Sequence, residues 1–386
     1  MDLFTKAEEC SSLGMDYINR KNYKEAISIF SAEIKLLELI LKEGGNDMAF
    51  LVNKMISGAY SNRALAKSHI KKYEEAVNDY NKSLKLNTED AIAYLNRGMC
   101  LGCLKKYDAA IEDATKAILI NPENHEICIA YYNRGVSKYG KGDINGAIDD
   151  YSEAIKLNPN ESAYYGNRAS ASLKLEIKYY ERIHADYKKA FELNSENIIY
   201  QTLMESTGIQ WLSQKIEHLN KLIKKNNKDA NLYFERGKLK TSKIEHLNKL
   251  IKKSNKDDYE DNYEDVLEDY NKSIELNPRN ALVYHARGQT KEAIESREVL
   301  GGAFSNYESI LNDYNKAIEL NPDNEQVYFD RGIINIVNNK KKEGFYDLRK
   351  ACKLGHPDAQ KTIKKYLPKN ILKRIYNRII WSFQKS

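Results

Sequence analysis

Seven arginines and seven aspartates recur in step along this 386-residue chain. The arginines are Arg63, Arg97, Arg134, Arg168, Arg236, Arg287 and Arg331; the aspartates are Asp79, Asp113, Asp150, Asp186, Asp269, Asp313 and Asp347. A file of guanidinium groups could bind phosphates, whereas guanidinium–carboxylate pairs at fixed spacing could clamp a scaffold through bidentate hydrogen bonds. Asn62, Asn96, Asn133 and Asn167 each stand immediately before one of the arginines. A carboxamide offers one donor group and one acceptor, matching the two groups of a peptide bond. A row of them could hold an extended peptide by its backbone without reading its sequence. Cys100 and Cys103 form a lone Cys-x-x-Cys; a zinc site needs further ligands, and no His or Cys pair at suitable spacing accompanies them. No nucleophile elbow, phosphate-cradling glycine loop or metalloprotease helix is present. The expectation is a chain without catalytic residues, metal or cofactor.

The elements that position these residues are repeats. AYLNRGMCLGCLKKYDAAIEDATKAILINP (93–122) aligns without a gap on AYYNRGVSKYGKGDINGAIDDYSEAIKLNP (130–159). Numbering slots from 1, repeats start at Ala7, Ser57, Ala91, Cys128, Ser162, Asn197, Ala230, Ala281 and Glu325. Slot 4 is Tyr from Tyr60 to Tyr328, and slot 8 is small: Gly14, Ala64, Gly98, Gly135, Ala169, Gly237, Gly288, Gly332. That spacing places both on one helix face, where the small residue admits a neighbouring helix. Slots 20, 24 and 27 (Ala76, Tyr80, Ser83; Ala147, Tyr151, Ala154) form the stripe of a second helix. Asn-Pro closes repeats at Pro122, Pro159, Pro278 and Pro322, where proline cannot continue the helix.

Arginine occupies slot 7 and aspartate slot 23, allowing for insertions. Repeats 1 and 6 lack both, carrying Leu13 with Ile29 and Leu203 with Leu219. The two charges therefore come and go together, which predicts an ion pair within each hairpin. Pairing to the next repeat would set Arg63 against Ile29.

The pattern at 34-residue spacing resembles the tetratricopeptide-repeat family over nearly the whole chain. The resemblance implies an all-α solenoid, a right-handed superhelix of about nine helix-turn-helix repeats, with a further C-terminal helix. It also implies a non-catalytic scaffold that binds an extended peptide segment in a concave groove. The Asn62–Asn167 row resembles the asparagine ladder lining that groove in O-linked N-acetylglucosamine transferase; packing against neighbouring repeats, or simple solvation, is the competing account of the same residues. The carboxylate clamp of some family members is not expected, because Ser11 and Met15 stand where Lys and Asn are needed.

The sequence divides into an N-terminal array (1–195), degenerate and insertion-bearing repeats (196–280), repeats 8 and 9 (281–360) and a basic amphipathic segment (361–386). That last segment carries eight Lys/Arg and no acid, with Ile371, Ile375 and Ile379 at i, i+4, i+8. It reads either as a cap on the open end of the array or, over 369–384, as a contact with an anionic membrane surface or a partner. The net charge of +6 is modest, so DNA is not expected as a partner. RNA binding is a weaker alternative, since the repeated arginines have acidic counterparts. The start MDLFTKAEECSSLG lacks a secretory pattern and the cysteines are sparse, giving a cytoplasmic expectation.

Overall fold

The computed structural model describes residues 3–43, 48–120, 127–175, 180–254, 263–298 and 304–366. Among them there are eighteen helices and no strand. The chain divides into two compact units, Met1–Thr207 and Gly208–Ser386.

The first unit is a run of helix pairs, each folding back on itself and packing on the next. The first pair is α1 (Leu3–Asn19) and α2 (Tyr23–Glu43), followed by α3 (Ala49–His69) with α4 (Tyr73–Leu86) and α5 (Ala91–Cys103) with α6 (Tyr107–Ile120). Then come α7 (Ile127–Lys141) with α8 (Ile144–Leu157) and α9 (Ser162–Leu173) with α10 (Tyr180–Leu193). The second unit pairs α12 (Ala230–Ser254) with α13 (Tyr263–Leu276), α14 (Ala281–Glu298) with α15 (Tyr307–Leu320), and α16 (Glu325–Val337) with α17 (Lys341–Lys353), and ends in α18 (Ala359–Tyr366). The insertions predicted in repeats 7 and 8 lengthen the first helices α12 and α14. The Gly44-Gly45 break, Pro122, Gly301-Gly302 and residues 367–386 lie outside the described residues.

Repeat 6 differs from the nine-hairpin reading. Its residues form one unbroken helix, α11 (Ile198–Lys225). The turns of repeats 1 to 4 and 9 place a left-handed residue at slot 15: Lys21, Lys71, Lys105 and Asn339 have φ of 59 to 63°, and Gly142 has 98°. Repeat 6 has Trp211-Leu212 around that slot instead, apolar residues that a helix buries, so nothing forces a turn.

The core of most hairpins is an aromatic ring of the second helix set on the small slot 8 of the first; Ala114 and Leu348 take the ring's place opposite Gly98 and Gly332. A Cβ on Gly135 would stand 2.8 Å from Tyr151, and one on Gly288 2.6 Å from Tyr314. Tyr80, Tyr151, Tyr187, Tyr270 and Tyr314 are accordingly among the most deeply buried side chains. Between hairpins, the Asn of Asn-Pro or its equivalent turns the chain: Asn87, Asn158, Asn277 and Asn321 each accept from the backbone N–H two residues on, at 3.1–3.4 Å. This is an Asx turn. Asp90 and Asn324 then cap the next helix by accepting from Ala93 N and Gln326 N.

Candidate functional site

Each slot-7 arginine forks onto the slot-23 aspartate of its own hairpin. Arg63 Nε and Nη2 reach Asp79 Oδ2 and Oδ1, both at 2.8 Å. Arg97 holds Asp113 at 2.7 Å through both nitrogens, Arg134 holds Asp150 at 2.7–2.9 Å, and Arg168 holds Asp186 at 2.7–2.8 Å. Arg236 pairs with Asp269, Arg287 with Asp313, and Arg331 with Asp347 in the same way. The aspartates are buried and the arginines largely so. Burial works against the charged Asp79, but the bonds from Arg63 and Lys67 outweigh it and hold its pKa below the ordinary carboxylate value.

Three features around these pairs escaped the sequence reading. The third arginine nitrogen reaches back to the preceding repeat, one or two residues past its slot 23. Arg63 donates to Ser31, Arg97 to Asn81, Arg134 to Thr115 and Arg168 to Ser152, at 2.7–3.2 Å. In the second unit Arg236, Arg287 and Arg331 donate to Asn220, Asn271 and Asn315 at 2.6–2.7 Å. A slot-11 lysine adds a second cation to four aspartates: Lys67, Lys138, Lys240 and Lys291 stand 2.7–2.9 Å from Asp79, Asp150, Asp269 and Asp313. Finally, every slot-7 guanidinium lies over the slot-4 tyrosine ring, from 5.2 Å for Tyr60 to 5.8 Å for Tyr165. The slot-4 ring thus supports the ion pair, while the ring filling the slot-8 gap comes from the second helix. A signal existed in the fixed three-residue step from Tyr to Arg, which spans one helical turn. These guanidinium groups face carboxylates, rings and amides within the fold and do not form a free basic stripe.

The asparagines lie elsewhere on the same helices. Slots 2, 6, 9 and 13 lie about 100–160° round the helix from slot 8, so they turn away from the paired helix. Asn62, Asn96, Asn133 and Asn167 are all half-buried. Among the described residues, no hydrogen-bond partner reaches the side-chain amides of Asn62, Asn96 or Asn133. Asn167 differs: its Nδ2 donates to Tyr132 Oη at 3.1 Å and to Ala163 O at 2.9 Å. The free amides of Asn96 and Asn133 are flanked by apolar side chains at slots 2 and 9. Ile92 and Met99 bracket Asn96 and are 52% and 38% exposed; Ile129 and Val136 bracket Asn133 and are 40% exposed each. First helices of successive pairs, α3, α5, α7 and α9, touch one another, so these brackets adjoin. Sequence reading singled out the asparagines and missed the apolar brackets, which fill both slots only in repeats 3 and 4.

Among the described residues there is no group of three or more His, Cys, Asp or Glu placed to hold a metal ion. The cysteines are free thiols, with Cys100 buried and Cys103 exposed. Burial and the neighbouring Cys103 push the Cys100 pKa up to about 12, which leaves it without thiolate reactivity at neutral pH. No described helix is long and apolar enough to cross a membrane.

Models of the tetratricopeptide repeat match residues 57–90, 91–124 and 128–161. No curated protein matches the chain. Among solved structures it is similar to that of pilF from Pseudomonas aeruginosa, at 17% identity over 64% of this chain and 93% of that one, with a TM-score of 0.44. It is also similar to MamA from Desulfovibrio magneticus RS-1 (19% identity, 50% and 97% covered, TM-score 0.39). A third is YrrB, described as a TPR protein with an unusual peptide-binding site (17% identity, 64% and 95% covered, TM-score 0.31).

Proposed function

The chain is a tetratricopeptide-repeat protein, and from that premise we propose that it is a non-catalytic interaction scaffold holding an extended peptide segment of a partner protein along α3, α5 and α7. The observation that supports this reading is the set of unengaged carboxamides of Asn62, Asn96 and Asn133, each on the outward face and two of them bracketed by exposed apolar side chains. The amides bind peptide N–H and C=O groups; Ile92, Met99, Ile129 and Val136 receive apolar side chains between them. The partner is therefore an extended, predominantly uncharged segment. Asn167, already bonded to Tyr132 and Ala163, marks the end of the free row.

Each amide–peptide hydrogen bond contributes about 0.5–1.5 kcal/mol net, and ordering the peptide opposes this. Three amides, two of them with apolar brackets, give affinities of roughly micromolar order. The test is selection of binders from a displayed library of random 15-residue peptides (~15 residues being ~50 Å extended), followed by anisotropy titration. Combined Asn62, Asn96 and Asn133→Ala substitution, with circular dichroism unchanged, is expected to weaken the selected peptides about tenfold or more. Equal affinity for the substituted chain would make the row a solvated surface. The membrane-anchor alternative rests on 369–384, outside the described residues, and is not adopted.

A further inference from the structure

Gly58 weakens its own helix without serving the packing of the fold. It stands near the middle of α3, and glycine in a helix interior is less favourable than alanine. Elsewhere helical glycines admit a neighbour. Gly14 lies under Phe30, Gly135 under Tyr151, Gly140 under Tyr107, Gly166 under Tyr200, Gly237 under Tyr270 and Gly288 under Tyr314; a Cβ on any of these would stand 2.5–2.8 Å from the ring. In each case a ring from another helix rests on bare helix backbone. A Cβ on Gly98, Gly332 or Gly344 would instead stand 2.7–3.2 Å from a backbone carbonyl oxygen. Gly142 and Gly355 take left-handed φ of 98° and 100°. Gly58 has none of these reasons. It is helical, and a Cβ built on it would meet no described atom within 4 Å beyond its own turn of helix.

Its place is the outward face. Gly58 occupies slot 2, where repeats 3 and 4 have Ile92 and Ile129. At 100° per residue, Leu51, Lys54, Asn62 and Leu65 all lie within about 40° of it on α3. Leu51 is 53% exposed, Lys54 is exposed and Leu65 is half-buried. On the adjoining α5, Ile92 is 52% exposed. Gly58 is thus bare backbone among apolar side chains, with the Lys54 ammonium one turn before it and the Asn62 amide one turn after. One turn is about 6 Å along the axis, so a backbone held at Asn62 reaches Gly58 only through a long side chain. A flat ring suits bare backbone, as it does at Gly14, Gly135 and Gly166, and its face attracts a cation such as Lys54.

We propose that Gly58 seats an aromatic side chain of the partner segment, which therefore carries Phe, Tyr or Trp beside the residue held by Asn62. The inference rests on the peptide reading of this face and adds a side-chain preference to it, since the amides alone read no sequence.

The test uses the full chain. Gly58→Ala, with circular dichroism unchanged, is expected to raise the midpoint of urea unfolding. A lowered midpoint would mean that the fold needs the glycine, and would overturn the proposal. Peptides selected on the natural chain from the displayed random library are expected to share a Phe, Tyr or Trp. Changing that residue to Ala is expected to weaken binding about tenfold. Gly58→Ile, which introduces the residue of repeats 3 and 4, is expected to weaken the unchanged peptides by the same factor and to make their ring irrelevant to affinity. Selected peptides without a shared ring, or equal affinity for the Gly58→Ile chain, would overturn the proposal. If the Asn62, Asn96 and Asn133→Ala chain still loses affinity in that case, the amide row stands and the aromatic seat alone falls. If both variants bind as the natural chain does, both readings fall.

Discussion

The hairpins of 57–193 and those of 230–353 are wired alike and surfaced differently. Both carry the Tyr–Arg–Asp stack, the slot-24 ring and the backward bond from each arginine. Yet slot 6 of the outward face is asparagine throughout the first set, and Glu235, Ala286 and Asp330 in the second. The arginine of slot 7 and the bracket of slot 9 stand about 100° to either side of slot 8, and slot 6 lies about 160° from it. The two can therefore vary independently. What the hairpin requires for stability fixes nothing about what it binds.

The sharpest way to break this comparison is to remove a charge from the shared wiring. Asp79→Ala leaves Arg63 and Lys67 buried without their carboxylate, at an expected cost of about 3–5 kcal/mol, read by urea unfolding. Asp313→Ala, which strands Arg287 and Lys291, is expected to cost the same. Replacing Arg97 and Asp113 together by Leu and Ile, the residues repeat 1 uses, is expected to change stability by less than about 1 kcal/mol. Unequal costs for the two aspartates would mean that the wiring is not shared in energy as it is in geometry.

Next in size is a difference within the slot-24 tyrosines. Tyr314 Oη donates to the buried Glu292 at 2.6 Å, whereas Tyr80 Oη is buried with no partner. Tyr314→Phe is expected to destabilise by about 1–3 kcal/mol, because Glu292 loses a donor. Tyr80→Phe is expected to be neutral or stabilising by up to about 1 kcal/mol, since it removes an unsatisfied hydroxyl. Thermal melts of the two variants settle it.

Glu33 tests the first hairpin, which lacks the wiring altogether. It fills slot 27, where repeats 2 to 5 and 7 to 9 have Ala or Ser, and is 3% exposed with Oε2 unpartnered. Burial raises its pKa to about 7, a bond from Ser11 partly opposing. The folded state thus holds a proton that the unfolded chain releases near pH 4.5. Stability from this group is full below about 4.5 and lost as pH rises through 7. Glu33→Gln is expected to match the natural chain at pH 4.5 and to exceed it by about 1–2 kcal/mol at pH 8. A gain independent of pH would refute the protonated state.

The smallest effect concerns the turns. Lys71 and Lys105 adopt a left-handed backbone with φ of 63° and 59° where repeat 4 has Gly142. Lys105→Gly relieves that conformation but loosens the unfolded chain, for a net gain of about 0.5 kcal/mol.

Much of this was legible in the residues. The 34-residue phase, the paired helices and the register of Arg with Asp could be read because each recurs with its exceptions: Leu13 and Ile29 replace both members at once. The outward direction of Asn62 to Asn133 followed from 100° per residue alone. What could not be read depends on neighbours brought together only by stacking. The arginine's backward partner varies among Ser, Thr and Asn, so no single residue type announces it. Asn167 is indistinguishable from Asn133 until Tyr132 of the preceding hairpin is placed beside it. The left-handed turns at Lys21, Lys71 and Lys105 use a residue with no preference for that conformation, and the unbroken α11 reflects the absence of such a turn, which repeat counting filled in.

The backward bond of each arginine has one more consequence, for cooperativity. A hairpin whose guanidinium grips its predecessor cannot fray without also freeing a side chain of that predecessor. Unfolding free energy is thereby shared between nearest neighbours, as in a one-dimensional lattice of coupled units. Leu203 interrupts the coupling, because an apolar side chain cannot make that grip. Hydrogen exchange should accordingly fall into two blocks of protected amides, α1 to α10 and α11 to α17, each exchanging as a unit and each indifferent to the melting of the other.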